Sequence, residues 1–231
     1  MSSAVPLVAK EILPKYSGVK VQGKKIIKDK TLGSETVVWD PVITSGVAYF
    51  EGKFDPINDA IIGIADEMCE YKKDDTPDAY QVNFDFNGGE PMTQGSKYED
   101  QILIFRHSGG VKHVGDIIYG NQPFKPNDRV GIEIDLSSNP RTATLFINDV
   151  EQPLYVINIP LRDGYRFFSH LIHENQSFTL AKLESRTIAL RKGTANSKAL
   201  DWGQKLVGEK QEQKVETEAK DDKEKKKCEI Q

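Results

Sequence analysis

Apolar and polar residues alternate most regularly between Asn127 and Val150. Val130, Ile132, Ile134 and Leu136 are separated by Gly131, Glu133 and Asp135, the period of two that sets apolar side chains on one face of a strand and leaves the other face wetted. A polar turn, Ser137-Ser138-Asn139-Pro140, follows, and the chain resumes as Thr142-Ala143-Thr144-Leu145-Phe146-Ile147, β-branched and aromatic residues that suit a pleated surface. Asn148-Asp149 ends this run with residues that tolerate turn backbone angles. The stretch predicts a hairpin, and because a hairpin alone is marginal in water its apolar face requires partner strands.

Partners lie on both sides of it. Val37-Val38-Trp39 is a short apolar run that Asp40-Pro41 is expected to stop, and Val47, Tyr49 and Glu51 alternate with Ala48, Phe50 and Gly52. Ile61-Ile62-Gly63-Ile64-Ala65 is continuously apolar, as a central strand covered on both faces would be. Tyr80, Val82, Phe84 and Phe86 alternate with Gln81, Asn83 and Asp85 and run into Asn87-Gly88-Gly89, which permits positive φ. Further strands are expected at 101–105, 112–114, 155–159, 165–171 and 178–183, with no helix between 36 and 190. Many short strands with Gly, Pro and Asn between them predict an all-β, two-sheet antiparallel sandwich rather than an α/β fold.

Composition divides the chain further. Residues 1–35 are Lys-rich and read as a basic arm able to add an edge strand; 36–190 form the sandwich; 191–207, with Leu200, Trp202, Leu206 and Val207, connect it to the tail as a short helix or a segment packed on the body. Residues 208–231 are dominated by Lys, Glu, Gln and Asp, too poor in apolar groups to offset ordering entropy, and are expected to be disordered. The net charge of −4 is the balance of +5 over 1–30, −11 over 31–190 and +2 over 191–231. An acidic body is a poor match for a phosphate backbone, so nucleic acid is not expected as a partner. The two cysteines, Cys69 and Cys228, are too few for a disulfide framework and point to a reducing, cytoplasmic setting. The first residues lack the basic n-region of a signal peptide, and no apolar run approaches the roughly 20 residues of a membrane span. The Asn175-Gln176-Ser177 sequon is therefore expected to stay unglycosylated.

Read together, these pieces resemble the SPRY domain family. Gly46-Val47-Ala48-Tyr49-Phe50-Glu51 and Ile62-Gly63-Ile64-Ala65 are similar to the family's early glycine-aromatic-glutamate strand and its Ile-Gly-Val strand. Asp128-Arg129-Val130-Gly131-Ile132-Glu133-Ile134-Asp135-Leu136 is similar to its Gly-Asp-Val-Val-Gly-Val-Glu-Leu-Asp-Leu signature, and Thr144-Leu145-Phe146-Ile147-Asn148-Asp149 to the strand and Asn-Gly turn that follow. The likeness covers roughly 36–185. Two positions depart from the pattern: Phe50 stands where the family usually has Trp, and Asp149 where it has the Gly of the turn. The resemblance implies a bent, concanavalin-like jelly-roll sandwich acting as a non-catalytic module for a protein or peptide ligand, bound by loops at one rim.

Rigid β-scaffolds carry recognition in their loops, and the longest here are 66–78, 87–100 and 106–127. Within them Tyr71, Tyr98, Arg106, His107, His113 and Tyr119 are of types enriched at interface hot spots or able to hydrogen-bond a peptide. Each is also an ordinary loop residue. His170-x-x-His173 invites a metal reading, but positions three apart on a strand face opposite ways, and Asp74-Asp75-Thr76-Pro77-Asp78 lacks the Gly and distal Glu of an EF-hand. Neither metal nor cofactor is expected. No nucleophile elbow, phosphate-binding loop, His-Glu-x-x-His or Cys-x-x-Cys occurs, so the chain is not expected to be an enzyme. A lectin-like carbohydrate binder is the alternative, with aromatic and amide groups around Tyr80–Phe86 as its platform.

The end of the sequence carries a second signal. Cys228-Glu229-Ile230-Gln231 fits the C-a-a-X prenylation pattern, and Lys223, Lys225, Lys226 and Lys227 stand just before it. One lipid chain gives only marginal membrane binding, so a neighbouring basic cluster, worth about 1 kcal/mol per Lys at an anionic leaflet, is the second signal stable anchoring needs. The expectation is peripheral attachment to a cytoplasmic membrane face in a eukaryotic cell.

Overall fold

A computed structural model describes residues 3–13, 17–29, 34–69 and 99–208 of the chain. In chain order the strands are β1 (Ala4–Pro6), β2 (Lys10–Ile12), β3 (Val19–Gln22), β4 (Lys25–Lys28), β5 (Glu35–Ile43), β6 (Val47–Asp55), β7 (Ile61–Asp66), β8 (Ile102–Arg106), β9 (Gly110–Lys112), β10 (Ile117–Tyr119), β11 (Val130–Asp135), β12 (Thr142–Ile147), β13 (Val150–Ile157), β14 (Tyr165–Leu171), β15 (Ser177–Arg186) and β16 (Lys198–Asp201). Among the described residues there is no α-helix, only a 3-10 turn at Glu99–Gln101. One sheet runs β16-β13-β12-β11-β6-β15-β4-β3, with β1 also on β15, and the other β10-β9-β8-β7-β14-β5-β2. All named pairings are antiparallel except β13 with β16, which is parallel. The fold is an all-β, two-sheet sandwich.

The predicted hairpin is β11 and β12, in register from Val130↔Ile147 to Asp135↔Thr142. Its second end turns again at once: Asn148 and Asp149 both have positive φ (51° and 66°), the pair of left-handed residues that a tight two-residue hairpin requires. The residue standing in place of glycine thus makes the turn unaided, and β13 starts at Val150 rather than near Tyr155. Asp40-Pro41 does not stop its strand either. β5 runs on to Ile43, and a register shift in β14 between Tyr165 and Phe167 accommodates the proline region. The basic arm enters both sheets: β1 and β4 pair with β15, and β2 pairs with β5. The connecting segment forms β16 rather than a helix, and Trp202 beyond it packs against His113 and Tyr165, at 4.3 and 5.8 Å between ring centroids.

Between the sheets lies the main core. Val130, Ile132 and Ile134 of β11 and Ala143, Leu145 and Ile147 of β12 join Phe50, Phe54, Trp39, Phe167 and Phe178 there. Phe50 stacks on Phe167 and Phe178 at 5.1 and 5.5 Å and meets Trp39 at 5.9 Å. A second apolar cluster of Val38, Ile61, Ala65, Ile102, Ile104 and Phe168 occupies the opposite face of the smaller sheet, which explains why β7 is apolar throughout. Gly63 leaves room for its neighbours in the same sheet: a Cβ there would stand 2.3 Å from both Leu103 O on β8 and Phe168 Cζ on β14.

The outer face of the larger sheet is not simply wetted, as alternation predicts. Every residue of β11 is buried, because the chain after β15 folds back over it. The Glu133 carboxylate accepts the N–H groups of Leu190 and Arg191, the latter at 3.0 Å, and Glu151 accepts those of Lys192 and Gly193. The Arg191 guanidinium then lies 3.7 Å from the centroid of the Tyr155 ring, a cation–π contact. Glu51, also buried, receives the Tyr49 hydroxyl at 2.9 Å and faces Arg129 and Lys182 at 3.4 and 3.3 Å.

Candidate functional site

One rim of the sandwich gathers the turns after β6, β8, β12 and β14 together with the connection from β10 to β11. Asp59, at positive φ (53°) in the first turn, is the hub. Its carboxylate accepts the Nε2–H of His173 at 2.8 Å, and its other oxygen stands 3.9 Å from His107 Nδ1. Backbone bonds brace the same turns. His107 N–H donates to Ala60 O, Phe124 N–H to His107 O, and Asn121 N–H to Gly109 O, at 2.9, 2.7 and 3.2 Å. Gly109 has φ +83°, and a Cβ there would meet Asn121 O at 2.2 Å, so this close approach of two loops needs glycine. At the next position the Tyr119 ring lies over the Gly110 backbone, with Cε1 3.3 Å from where a Cβ would be.

The result is a strip running from Tyr119, 62% exposed, across Gly110 and Gly109 to half-exposed His107, Asp59 and His173. Burial holds the His107 imidazole below its ordinary pKa; Asp59 opposes this, while Arg106 and His173 add to it. At neutral pH the strip therefore offers the His107 ring as a neutral imidazole, beside the Asp59–His173 pair and the Tyr119 ring.

Two residues expected at a partner surface are interior instead. Arg106 ends β8 and is buried among sheet neighbours. His113 is also buried: Nδ1–H donates to Ile102 O at 2.7 Å and Nε2 accepts Gly203 N–H at 2.8 Å. A carbonyl can only accept, so the tautomer is set, and this neutral histidine is a structural link between β8 and the C-terminal segment. His107 and Tyr119 lie on the same rim, joined through Gly109 and Gly110. Tyr71, Tyr98, Lys223, Lys225, Lys226, Lys227 and Cys228 lie outside the described residues, as does the Tyr80–Phe86 face on which the carbohydrate alternative depended.

Asp59 and His173 were not singled out from sequence as part of this strip. Their signal was turn chemistry: Pro56-Ile57-Asn58-Asp59 and His173-Glu174-Asn175 are turn-forming strings. His170 and His173 have separate partners. His170 is fully buried with Nδ1 2.7 Å from Thr36 Oγ1, while His173 sits beyond the end of β14 on Asp59. Among the described residues no group of three His, Cys, Asp or Glu side chains is arranged to hold a metal ion.

No family model matches the chain, and no curated protein matches it. Among solved structures it is similar to the crystal structure of the SPRY domain of human HERC1, at 13% identity over 78% of this chain and 98% of that one, with a TM-score of 0.50. At this identity the likeness concerns architecture, and the sandwich of this chain is SPRY-like in fold.

Proposed function

We propose that the chain is a non-catalytic module that binds a protein or peptide ligand along the Tyr119–His107–His173 rim. The observation that supports this most is the strip itself: an exposed tyrosine of the kind used as an interface anchor and two imidazoles able to hydrogen-bond a peptide, on turns cross-braced by backbone hydrogen bonds. Such bracing limits the ordering cost of binding. Peptides selected from a displayed random library on the intact chain provide the test. In the Tyr119→Ala/His107→Ala/His173→Ala variant the selected peptides should bind at least about tenfold more weakly, the loss expected of a hot-spot cluster. Unchanged affinity in a variant with wild-type thermal stability rejects this rim.

The second part of the proposal concerns the tail. In a chain that terminates at Gln231, Cys228 stands in the C-a-a-X position with Lys225, Lys226 and Lys227 beside it, and a prenyl group there supplies the first of two membrane signals. Intact mass of the protein expressed in eukaryotic cells should show the added isoprenoid; the unmodified mass removes this part and leaves the ligand-binding part standing.

A further inference from the structure

The lysines of the N-terminal arm and two cations of the body come together on one face of the larger sheet. In the registers Gln22↔Lys25, Lys25↔Thr179 and Thr179↔Lys53, one straight row crosses β3, β4, β15 and β6. Ile26, Phe178, Leu180 and Phe54, the neighbours along these strands, point into the core, so Lys25, Thr179 and Lys53 point outward. Lys24 stands in the hairpin turn beside this row and Lys20 on β3, while Lys182 lies opposite Glu51 on the same face. Lys20 is paired with Asp29 at 2.7 Å and Lys182 with Glu51. Lys24, Lys25 and Lys53 form no ion pair with any described residue. Asp55, two positions from Lys53 on β6, offsets part of the charge.

We infer that this lysine face is a docking surface for an anionic lipid bilayer. The face spans four neighbouring strands, about 15 Å at about 4.8 Å per strand, wide enough to set several lysines against one surface. Ile27 lies on it partly exposed, between Lys20 and Ser177 in register, which sets an aliphatic group beside ammonium groups as a headgroup boundary favours. Residues 31–190 carry a net −11, so the charge separation orients the molecule with the lysines toward a negative surface. The surface rests on the membrane half of the function proposed above, and the chain length permits both contacts at once. β16 and β3 are the two edges of the larger sheet, roughly 34 Å apart across eight strands, and Gly208 lies seven residues beyond the end of β16. From Gly208 to Cys228 the backbone reaches up to about 66 Å.

Full-length chain purified from bacteria, which lacks any prenyl group, separates this surface from the lipid anchor. It is incubated with vesicles of phosphatidylcholine alone or with about 30% phosphatidylserine and sedimented. Binding is expected only to the phosphatidylserine vesicles, to fall steeply with salt, and to weaken at least tenfold in Lys25→Glu/Lys53→Glu. Lys125→Glu/Lys198→Glu, the same charge change at exposed lysines elsewhere, should bind within about threefold of the parent at equal thermal stability. The inference is overturned if the chain ignores vesicle charge, if both double variants weaken alike, or if only neutralising Lys223, Lys225, Lys226 and Lys227 abolishes binding. It is overturned too if Lys25→Glu/Lys53→Glu loses affinity for a duplex oligonucleotide while vesicle binding persists. A prenylated protein that fails this assay refutes the face alone; an unlipidated protein that passes it leaves the anchor to the mass measurement.

Discussion

His173 Nε2 stands 2.8 Å from the Asp59 carboxylate, a contact that joins the turn after β14 to the turn after β6 on the rim where His107 and Tyr119 also lie. Asp59 thereby links three turns through one side chain, with His107 Nδ1 3.9 Å from its second oxygen. The His107 pKa is lowered, burial being the largest cause. The unfolded chain therefore binds the proton more readily, and the stability tied to this group is present above about pH 6.5 and lost as the pH falls through the lower folded value. In histidine NMR titrations His107 should protonate below about pH 6.5, and in Asp59→Asn, which removes the opposing carboxylate, lower still. A rise in its pKa on that substitution contradicts this account of the strip.

A stronger pH effect is expected from His170. It is fully buried beside Thr36, its partner on the neighbouring strand β5, and burial, reinforced by the Arg106 and Lys28 charges, brings its pKa down to about 3. The sign is that of a buried neutral base: stability is complete above about pH 6.5 and is lost progressively toward pH 3 as the unfolded chain takes up a proton that the folded one refuses. While the protein remains folded at pH 5, the His170 ring signals should stay at their neutral positions. Urea midpoints should fall between pH 7 and 4, and the fall should shrink in His170→Gln. A folded-state His170 titrating near pH 6 is incompatible with its burial.

Glu133 tests the strap over the outer face. Its two oxygens receive Leu190 and Arg191 N–H, and its pKa is raised, burial being the largest cause against the lowering effect of those two bonds. Glu133→Ala leaves both donors without their acceptor and should cost about 2 kcal/mol. It should also speed amide hydrogen exchange at Leu190 and Arg191 well before that of Ile132 in the core. Because the folded pKa is raised, the proton favours the folded state, and the stability it gives below the ordinary carboxylate range is lost as the pH rises through the raised value. The alanine variant should lack that pH dependence. Exchange rates unchanged at Leu190 and Arg191 would show that the strap is held by other contacts.

Where side-chain pattern alone decides structure, the sequence was legible. The alternation of β11, the β-branched and aromatic β12, the apolar β7 and the aromatic β14 all place themselves, and their order is enough to identify the SPRY-like sandwich. What escaped were features set by distant partners. Lys10, Glu11 and Ile12 say little until Asp40, Trp39 and Val38 are beside them, and β16 exists because Leu154 to Ile157 offer it a parallel edge. Burial of Glu133 depends on a segment more than fifty positions later. The site was legible only in part for the same reason. His107 and Tyr119 are loop residues of a recognisable type, but that Arg106 and His113 turn inward, and that Asp59 and His173 join the strip, follows from which loops meet.

Gly46, before β6, and Gly63, within β7, should respond differently to the same substitution. At Gly63 the backbone is extended and a methyl group would come 2.3 Å from the Leu103 carbonyl oxygen and from the Phe168 ring; the ring can rotate away, but the neighbouring strand cannot without breaking its register with β7. Overpacking of this kind costs about 3 kcal/mol. Gly46, in the turn before β6, has φ +75° with nothing within 4 Å, so the penalty of alanine there is the left-handed backbone alone, about 1 kcal/mol. Urea midpoints should therefore fall markedly further in Gly63→Ala than in Gly46→Ala. Equal losses would mean that β8 and the Phe168 ring do not approach Gly63 as closely as the Leu103 and Phe168 distances require.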